Sequence, residues 1–437
     1  MKKIVLSLLL AVIFCLNLSA QATDKKPDTK WFEDARFGMF IHFGPYSVLG
    51  AGEWIMNTRP VKAHDYMRLQ DLFNPQAFDA KEWVKIAKDA GMKYINLTSR
   101  HHDGFSNWDT KQSDWNIMST PYGKDLIKQL AEECQKEGIK LVFYYSIIDW
   151  MRPDYQWETG RTGQNSGRTP PSNYDAYFNF MKNQLTELLT NYGDVAGIWF
   201  DGHWDQTEDQ NRTDHATHLN WRYPELYAHI RSLNPNCLIA NNHHLPPFPG
   251  EDYQIFERDI PGENTAGHSG QEISKLPLET CQTINGSWGF NITDDNFKSV
   301  KELLHLLIRT AGTGANLLLN VGPMPNGKIQ PECVERLQEM GKWIKQYGFT
   351  IYETKQGFSE PQSWGATTAK GNICYVHVLD NTVDSVTINI PNIKSAKLLN
   401  NDSKLIWKKD RKTGDVLFTI EGDLDEIDTI IEVVISK

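Results

Sequence analysis

Cysteine is scarce in this 437-residue chain, and the scarcity removes two classes of protein at once. Beyond Cys15, the cysteines Cys134, Cys237, Cys281, Cys333 and Cys374 are odd in number and widely scattered. They suit neither a disulfide framework nor a clustered metal site, and are expected to be buried small hydrophobes. Positive charge is not in excess either: 45 Lys and Arg stand against 55 Asp and Glu, a net charge of -10. Phosphate binding needs clustered cations, and no basic stripe appears, so no nucleic-acid partner is expected. After the first twenty residues no stretch approaches the ~20 apolar residues of a membrane span. No Gly-rich loop opens a helix after a strand, which leaves out the common phosphate cradle. The His-x-Glu and His-x-x-x-His spacings of common zinc sites are missing, and adjacent side chains such as His101 and His102 diverge on an extended backbone. Neither a metal nor a cofactor is therefore expected.

The chain does carry an export signature. Lys2 and Lys3 precede the apolar run from Ile4 to Leu18, and Ser19-Ala20 stand before Gln21. This is the layout of a secretory signal peptide spanning residues 1-20, with cleavage expected after Ala20 and a periplasmic or extracellular mature protein. Aromatics are plentiful, with 14 Trp and 16 Tyr. They suit stacking on sugar rings and suit an aromatic core equally well until positions are known.

Strand-like and helix-like segments alternate along the mature chain. Strands are expected at Gly38 to Phe43, Met92 to Ser99, Lys140 to Ser146, Val195 to Asp201, Cys237 to Asn241, Tyr253 to Glu257, Thr280 to Ile284 and Asn316 to Gly322. Amphipathic patterns lie between several of them, such as Trp83, Ile86, Ala87 and Ala90, or Leu303, Leu304, Leu307 and Ile308. Eight strands of this kind predict a (β/α)8-like TIM barrel, an α/β fold, over residues 21-348. The stretch from Asn242 to Thr280 is long, rich in Pro and Gly and poor in helical pattern. From 349 to 437 short strands separated by Asp, Asn and Gly turns predict a small antiparallel β-sandwich.

Polar residues gather where those strands end. Val195-Ala196-Gly197-Ile198-Trp199-Phe200-Asp201-Gly202 reads as a buried strand that stops on a carboxylate, which makes Asp201 the first catalytic candidate. His42 closes the first strand, with Glu53-Trp54 in the loop beyond it. His101 and His102 follow the second strand, Tyr144-Tyr145-Ser146 ends the third, and Glu257 ends the sixth. A lone histidine would be a hydrogen-bonded core residue more often than not, but convergence from four or five strands on one rim reverses that prior.

These residues also carry a family resemblance. Arg36-Phe37-Gly38, Phe40-Ile41-His42-Phe43-Gly44, Glu53-Trp54, His101-His102-Asp103-Gly104-Phe105, Trp199-Phe200-Asp201, Ser287-Trp288-Gly289-Phe290-Asn291 and Asn316 to Pro323 occur in consistent order. Together, over roughly residues 31 to 350, they resemble the α-L-fucosidases of glycoside hydrolase family 29. The resemblance implies a barrel followed by a β-sandwich, and metal-free hydrolysis of α-linked L-fucose with retention, on a fucosylated glycan substrate. It implies Asp201 as nucleophile and His42, Glu53, Trp54, His101, His102, Tyr145 and Trp199 as sugar-binding groups, with Trp288 as an aromatic wall. The acid/base is a Glu on a variable loop in that family; Glu257 fits best, and Glu251 and Glu263 stay open. Two departures stand out: Arg100 where many members have Lys, and Asn242-His243 where some have Arg.

Apolar Ile255 and Phe256, with ionised Asp201, are expected to raise the pKa of Glu257 as an acid requires. Should Asp201 not be the nucleophile, Asp205 is next in line. A catalytically inactive fucose-binding protein on the same scaffold is the competing class, and a barrel glycosidase acting on another sugar is a third reading.

Overall fold

The computed structural model describes residues 26–207 and 217–436, so the signal-peptide expectation lies outside the described residues. Eight parallel strands form one sheet: β1 (Phe37–Ile41), β2 (Tyr94–Arg100), β3 (Lys140–Ser146), β4 (Val195–Asp201), β5 (Leu238–Asn242), β6 (Gln254–Glu257), β7 (Leu278–Thr283) and β8 (Ala315–Val321). Their order, β5-β4-β3-β2-β1-β8-β7-β6, is a barrel joined everywhere by ladders except between β5 and β6. Asp252 spans that seam. Its backbone N–H donates to the carbonyl of Ile239 at 2.8 Å, and its carboxylate accepts from the Ile239 N–H at 2.7 Å. One residue, through its backbone N–H and its carboxylate, thus does for the seam what a ladder does elsewhere.

Alternation along each strand sorts the side chains into two layers. Phe40, Tyr94, Val142, Tyr144, Trp199, Leu238 and Leu318 fill the barrel interior. Met39, Leu97, Phe143, Tyr145, Phe200 and Leu319 face outward into the core shared with the helices. Gly38 lies on the inner side, where a Cβ would sit 2.4 Å from the Tyr94 ring, so the crowded floor of the barrel requires glycine there.

Helices Ala80–Asp89, Leu126–Glu137, Tyr174–Asn191, Tyr223–Leu233, Val300–Gly312 and Pro331–Tyr347 cover the outside. Asp79, Asp125, Asn173 and Ser299 cap four of them through side-chain oxygens. Between β5 and β7 the described chain has loops in place of helices, as the sparse pattern from Asn242 to Thr280 predicts. No helix among the described residues is long and apolar enough to cross a membrane.

Beyond the barrel, β9 (Lys355–Gln356), β10 (Gly365–Lys370), β11 (Ile373–Val378), β12 (Ser385–Asn389), β13 (Ile393–Leu398), β14 (Lys404–Lys409), β15 (Asp415–Glu421) and β16 (Thr429–Ile435) follow. They build two antiparallel sheets, β13-β16-β11-β10-β9 and β12-β15-β14. Val376, Val386, Ile388, Phe418, Ile431 and Val433 fill the space between them. The sandwich also packs on the barrel: Ala366, Tyr375, Leu379 and Ile430 belong to the same core as the barrel's outer layer.

Candidate active site

A cavity of about 860 Å³ is lined from the C-terminal ends of the barrel strands and the loops after them. Asp201 closes β4, and Gly202 follows it with φ 117, a left-handed conformation that favours glycine and turns the chain away from the strand. The Asp201 carboxylate is held at both oxygens. Oδ2 accepts from the Tyr144 hydroxyl at 2.9 Å, and Oδ1 from the indole Nε1–H of Trp204 at 3.1 Å and from the Asn242 amide at 3.5 Å. Burial and then the charge of Glu257 push its pKa up to about 6, against the opposing pull of the Tyr144 and Trp204 hydrogen bonds. Asp205, by contrast, is buried outside the cavity lining, bound to the hydroxyls of Tyr155 and Thr162 at 2.6 Å each.

Glu257 ends β6 on the same wall. Its Oε2 accepts from Asn242 Nδ2 at 2.9 Å and faces His244 Nε2 at 3.1 Å. One amide nitrogen thus reaches both carboxylates, so Asp201 and Glu257 stand side by side on the cavity wall. The expected rise in the Glu257 pKa is not what the structure shows. Burial favours such a rise, but the hydrogen bond and charge of His244, with the Asn242 amide, outweigh it and hold the carboxyl at about 2. Ile255 and Phe256 point into core clusters, so their apolarity acts through burial and cannot offset the donors on Oε2. Of the alternatives, Glu251 is buried outside the cavity lining and bound to Tyr227 at 2.9 Å and His243 at 3.1 Å. Glu263 is exposed and also absent from the lining.

Hydrogen bonds fix the histidine tautomers. Asn320 on β8 donates its amide to the Trp288 carbonyl at 2.7 Å, leaving its oxygen to accept from His42 Nδ1 at 2.7 Å. The Ser146 hydroxyl donates to the Ile148 carbonyl at 2.9 Å and must therefore accept from His102 Nδ1 at 2.7 Å. Burial lowers both imidazoles to about 3, so each is neutral and presents Nε2 as an acceptor. His102 Nε2 stands 3.5 Å from Asp201 Oδ2, two acceptors facing each other and ready to share one hydroxyl donor. His101, also lowered by burial, stacks on Tyr144 with ring centres 5.6 Å apart.

The aromatic wall forms from separate elements. Trp54 stacks on Trp204 at 5.5 Å, and Trp288 lies 5.3 Å from His42. Trp199 stacks on Tyr144 at 5.4 Å while its indole N–H donates to the buried Glu279 at 2.9 Å. Glu53 also lines the cavity, with Oε2 accepting from the Gly289 N–H at 2.7 Å. Tyr145 does not join them. It faces the outer core, its hydroxyl bound to Gln184 at 2.9 Å, and Tyr144 takes the place assigned to it. A one-residue shift on a strand exchanges faces, and Tyr144 pairs with the inward Trp199. Trp204, just beyond β4 on the expected rim, and Asn242, at the position of the departure from Arg, both line the cavity and bond its carboxylates. Sequence reasoning missed His244 and Asn320 as site residues, since their contacts are set by tertiary structure, whereas the parity of β3 is the signal that finds Tyr144.

Known proteins match this architecture. A family profile described as alpha-L-fucosidase matches residues 16–349. Alpha-L-fucosidase isoenzyme 1 from Paenibacillus thiaminolyticus is 33% identical with a TM-score of 0.81, covering 94% of this chain and 99% of that one. A glycoside hydrolase family 29 α-L-fucosidase from Bacteroides thetaiotaomicron, trapped as a covalent intermediate with 2-fluoro-fucosyl fluoride, is 26% identical with a TM-score of 0.79, covering 94% and 97%. An alpha-L-fucosidase of Branchiostoma floridae is 28% identical over 82% of this chain and 80% of its own length. With the profile spanning most of its length, the chain belongs to the α-L-fucosidases of glycoside hydrolase family 29.

Proposed function

We propose that this chain removes terminal α-L-fucose from fucosylated oligosaccharides or glycoconjugates by double displacement, with Asp201 as nucleophile and Glu257 as acid/base. The pairing of both carboxylates on the Asn242 amide carries this reading, because double displacement needs a nucleophile and an acid/base side by side at one sugar. Asp201 attacks the anomeric carbon as the bond to the leaving oxygen breaks, and the acid protonates that oxygen. Water then attacks the fucosyl-Asp201 ester, giving its proton to Glu257 and releasing fucose with its configuration retained.

Donors to both Asp201 oxygens orient the carboxylate for attack. Nε2 of His42 and of His102 accept sugar hydroxyls, and Trp54 and Trp288 offer apolar faces to the fucose methyl group. A pocket for galactose would meet a polar hydroxymethyl there, which argues against the reading as another glycosidase. An inactive binding protein has no use for a buried, triply hydrogen-bonded carboxylate beside a second one.

Release of fucose by the mature protein from an aryl α-L-fucoside and from α1,2-, α1,3-, α1,4- and α1,6-fucosylated oligosaccharides tests the reading. Fucose from at least one of them is expected; hydrolysis of a different aryl glycoside with no fucose released overturns it. Export to the periplasm or beyond belongs to the same reading, supported by Lys2, Lys3 and the apolar run that follows. Amino-terminal sequencing of the exported protein is expected to begin at Gln21.

A further inference from the structure

β5 leads into an unusual turn. His243 accepts the Leu245 N–H on Nδ1 at 3.1 Å, which leaves Nε2–H to donate to the buried Glu251 carboxylate at 3.1 Å. That anchored ring braces the next residue, His244, whose φ of 61 is a left-handed conformation uncommon for a side chain of its size. The turn brings the His244 imidazole into the cavity, with Nε2 3.1 Å from Glu257 Oε2, the same oxygen that Asn242 reaches. Its ring lies 5.3 Å from that of His268, which is exposed. Glu257 from β6 and His268 from the following loop are the titratable groups that face it, and Asp201 on β4 stands beyond Asn242. Arg258 and Glu272 line the same cavity.

A difficulty for the chemistry meets its answer in this arrangement. A general acid works best with a pKa near the working pH. Glu257, held at about 2, is ionised near neutrality and by itself has no proton to give. The His244 imidazole, with Nε2 3.1 Å from Glu257 Oε2, is the side chain placed to hand that carboxylate a proton.

We infer that His244 is a positioning residue that stores the proton Glu257 delivers, so that the working acid is the His244–Glu257 pair. The inference rests on Glu257 being the acid/base. During glycosylation the proton passes from His244 Nε2 to the Glu257 carboxyl and on to the glycosidic oxygen, as the C1–O bond breaks and the Asp201–C1 bond forms. His244 is left neutral. During deglycosylation the attacking water gives its proton to Glu257, which returns it to His244, as the new C1–O bond forms and Asp201 leaves. The pair therefore ends each turnover with the proton it began with.

His244→Asn tests this, because asparagine tolerates the left-handed backbone and cannot carry the proton; His244→Gln provides a second variant with an amide donor on a longer side chain. For both, kcat on fucosyl-oligosaccharides is expected to fall about 10²-fold, while a dinitrophenyl fucoside, whose leaving group needs no proton, stays within about threefold of the wild type. The alkaline limb of kcat/KM is expected to move down by about one pH unit, because the remaining proton then sits on Glu257 without its partner. Equal losses on both substrates with the limb unmoved would make His244 a structural residue and overturn the inference, as would unchanged kinetics in both variants. A wild-type protein that releases no fucose overturns the reading of the site itself and the inference with it; an active wild type with unaltered variants overturns the inference alone.

Discussion

Each donor on Asp201 is a separate handle on its charge. Attack requires the ionised carboxylate, so activity is expected to rise with pH through about 6, measured as the acid limb of kcat/KM. The Tyr144 hydroxyl bonds to that ionised form and lowers its pKa, so Tyr144→Phe is expected to move the acid limb upward and lower the rate by roughly tenfold. A limb that stays in place would assign it to another group. Trp54, packed against Trp204 and half-exposed to the cavity, is expected on truncation to Ala to weaken fucose inhibition more than it lowers the melting temperature. Equal losses in both measurements would make it a core residue. Most of the residues around the cavity were legible because barrel strands end at one rim, which places His42, His102, Trp199, Asp201 and Glu257 from strand ends alone. Tyr144 and Tyr145 are chemically identical neighbours, and the register with β4 decides between them. His244 and Asn320 were not legible, since their importance lies in partners that are distant in sequence or set by an unusual turn.

At the scale of elements, the weak point of the barrel is also where its acid/base is mounted. Glu257 sits at the end of β6, and β6 meets β5 through Asp252 in place of a ladder. Arg231 from the helix Tyr223–Leu233 clamps the same carboxylate and the Cys237 carbonyl. Replacing Asp252 with Ala strands that half-buried guanidinium and the Ile239 N–H. A loss of roughly 3 kcal/mol in urea unfolding is expected, with a larger effect on kcat than distance from the cavity alone suggests. No change in stability would mean the seam is closed by something else. Strands β3 and β4 match their sequence expectations at both ends because apolar runs bounded by turn residues mark them. β10 carries no strand pattern of its own, because Gly365-Ala366-Thr367-Thr368-Ala369-Lys370 consists mostly of small and polar residues. It is buried through pairing with β11 and packing on the barrel, a context no local pattern displays.

On the scale of the whole molecule, the sandwich and the barrel share contacts that local sequence does not announce. His305 Nε2 bonds to the Ile427 carbonyl at 2.6 Å, and Arg309 reaches the carbonyls of Gln362 and Ser363 at 2.9 Å and 3.0 Å. A Cβ on Gly312 would sit 2.7 Å from that of Ala366, so helix and sheet meet at close range. We propose that residues 349-437 brace the barrel and that both parts unfold together. Calorimetry of the full chain should give a single transition, and a chain ending at 348 should melt at a lower temperature; two separate transitions would make the parts independent. The functional account as a whole turns on a covalent bond at Asp201. Incubation with 2-deoxy-2-fluoro-α-L-fucosyl fluoride followed by peptide mass mapping tests it most directly: one fluorofucosyl group on the peptide carrying Asp201, with no label on Asp201→Asn, is the predicted result. A label on a different carboxylate, or steady release of fucose with inverted configuration and no labelled peptide, would contradict it.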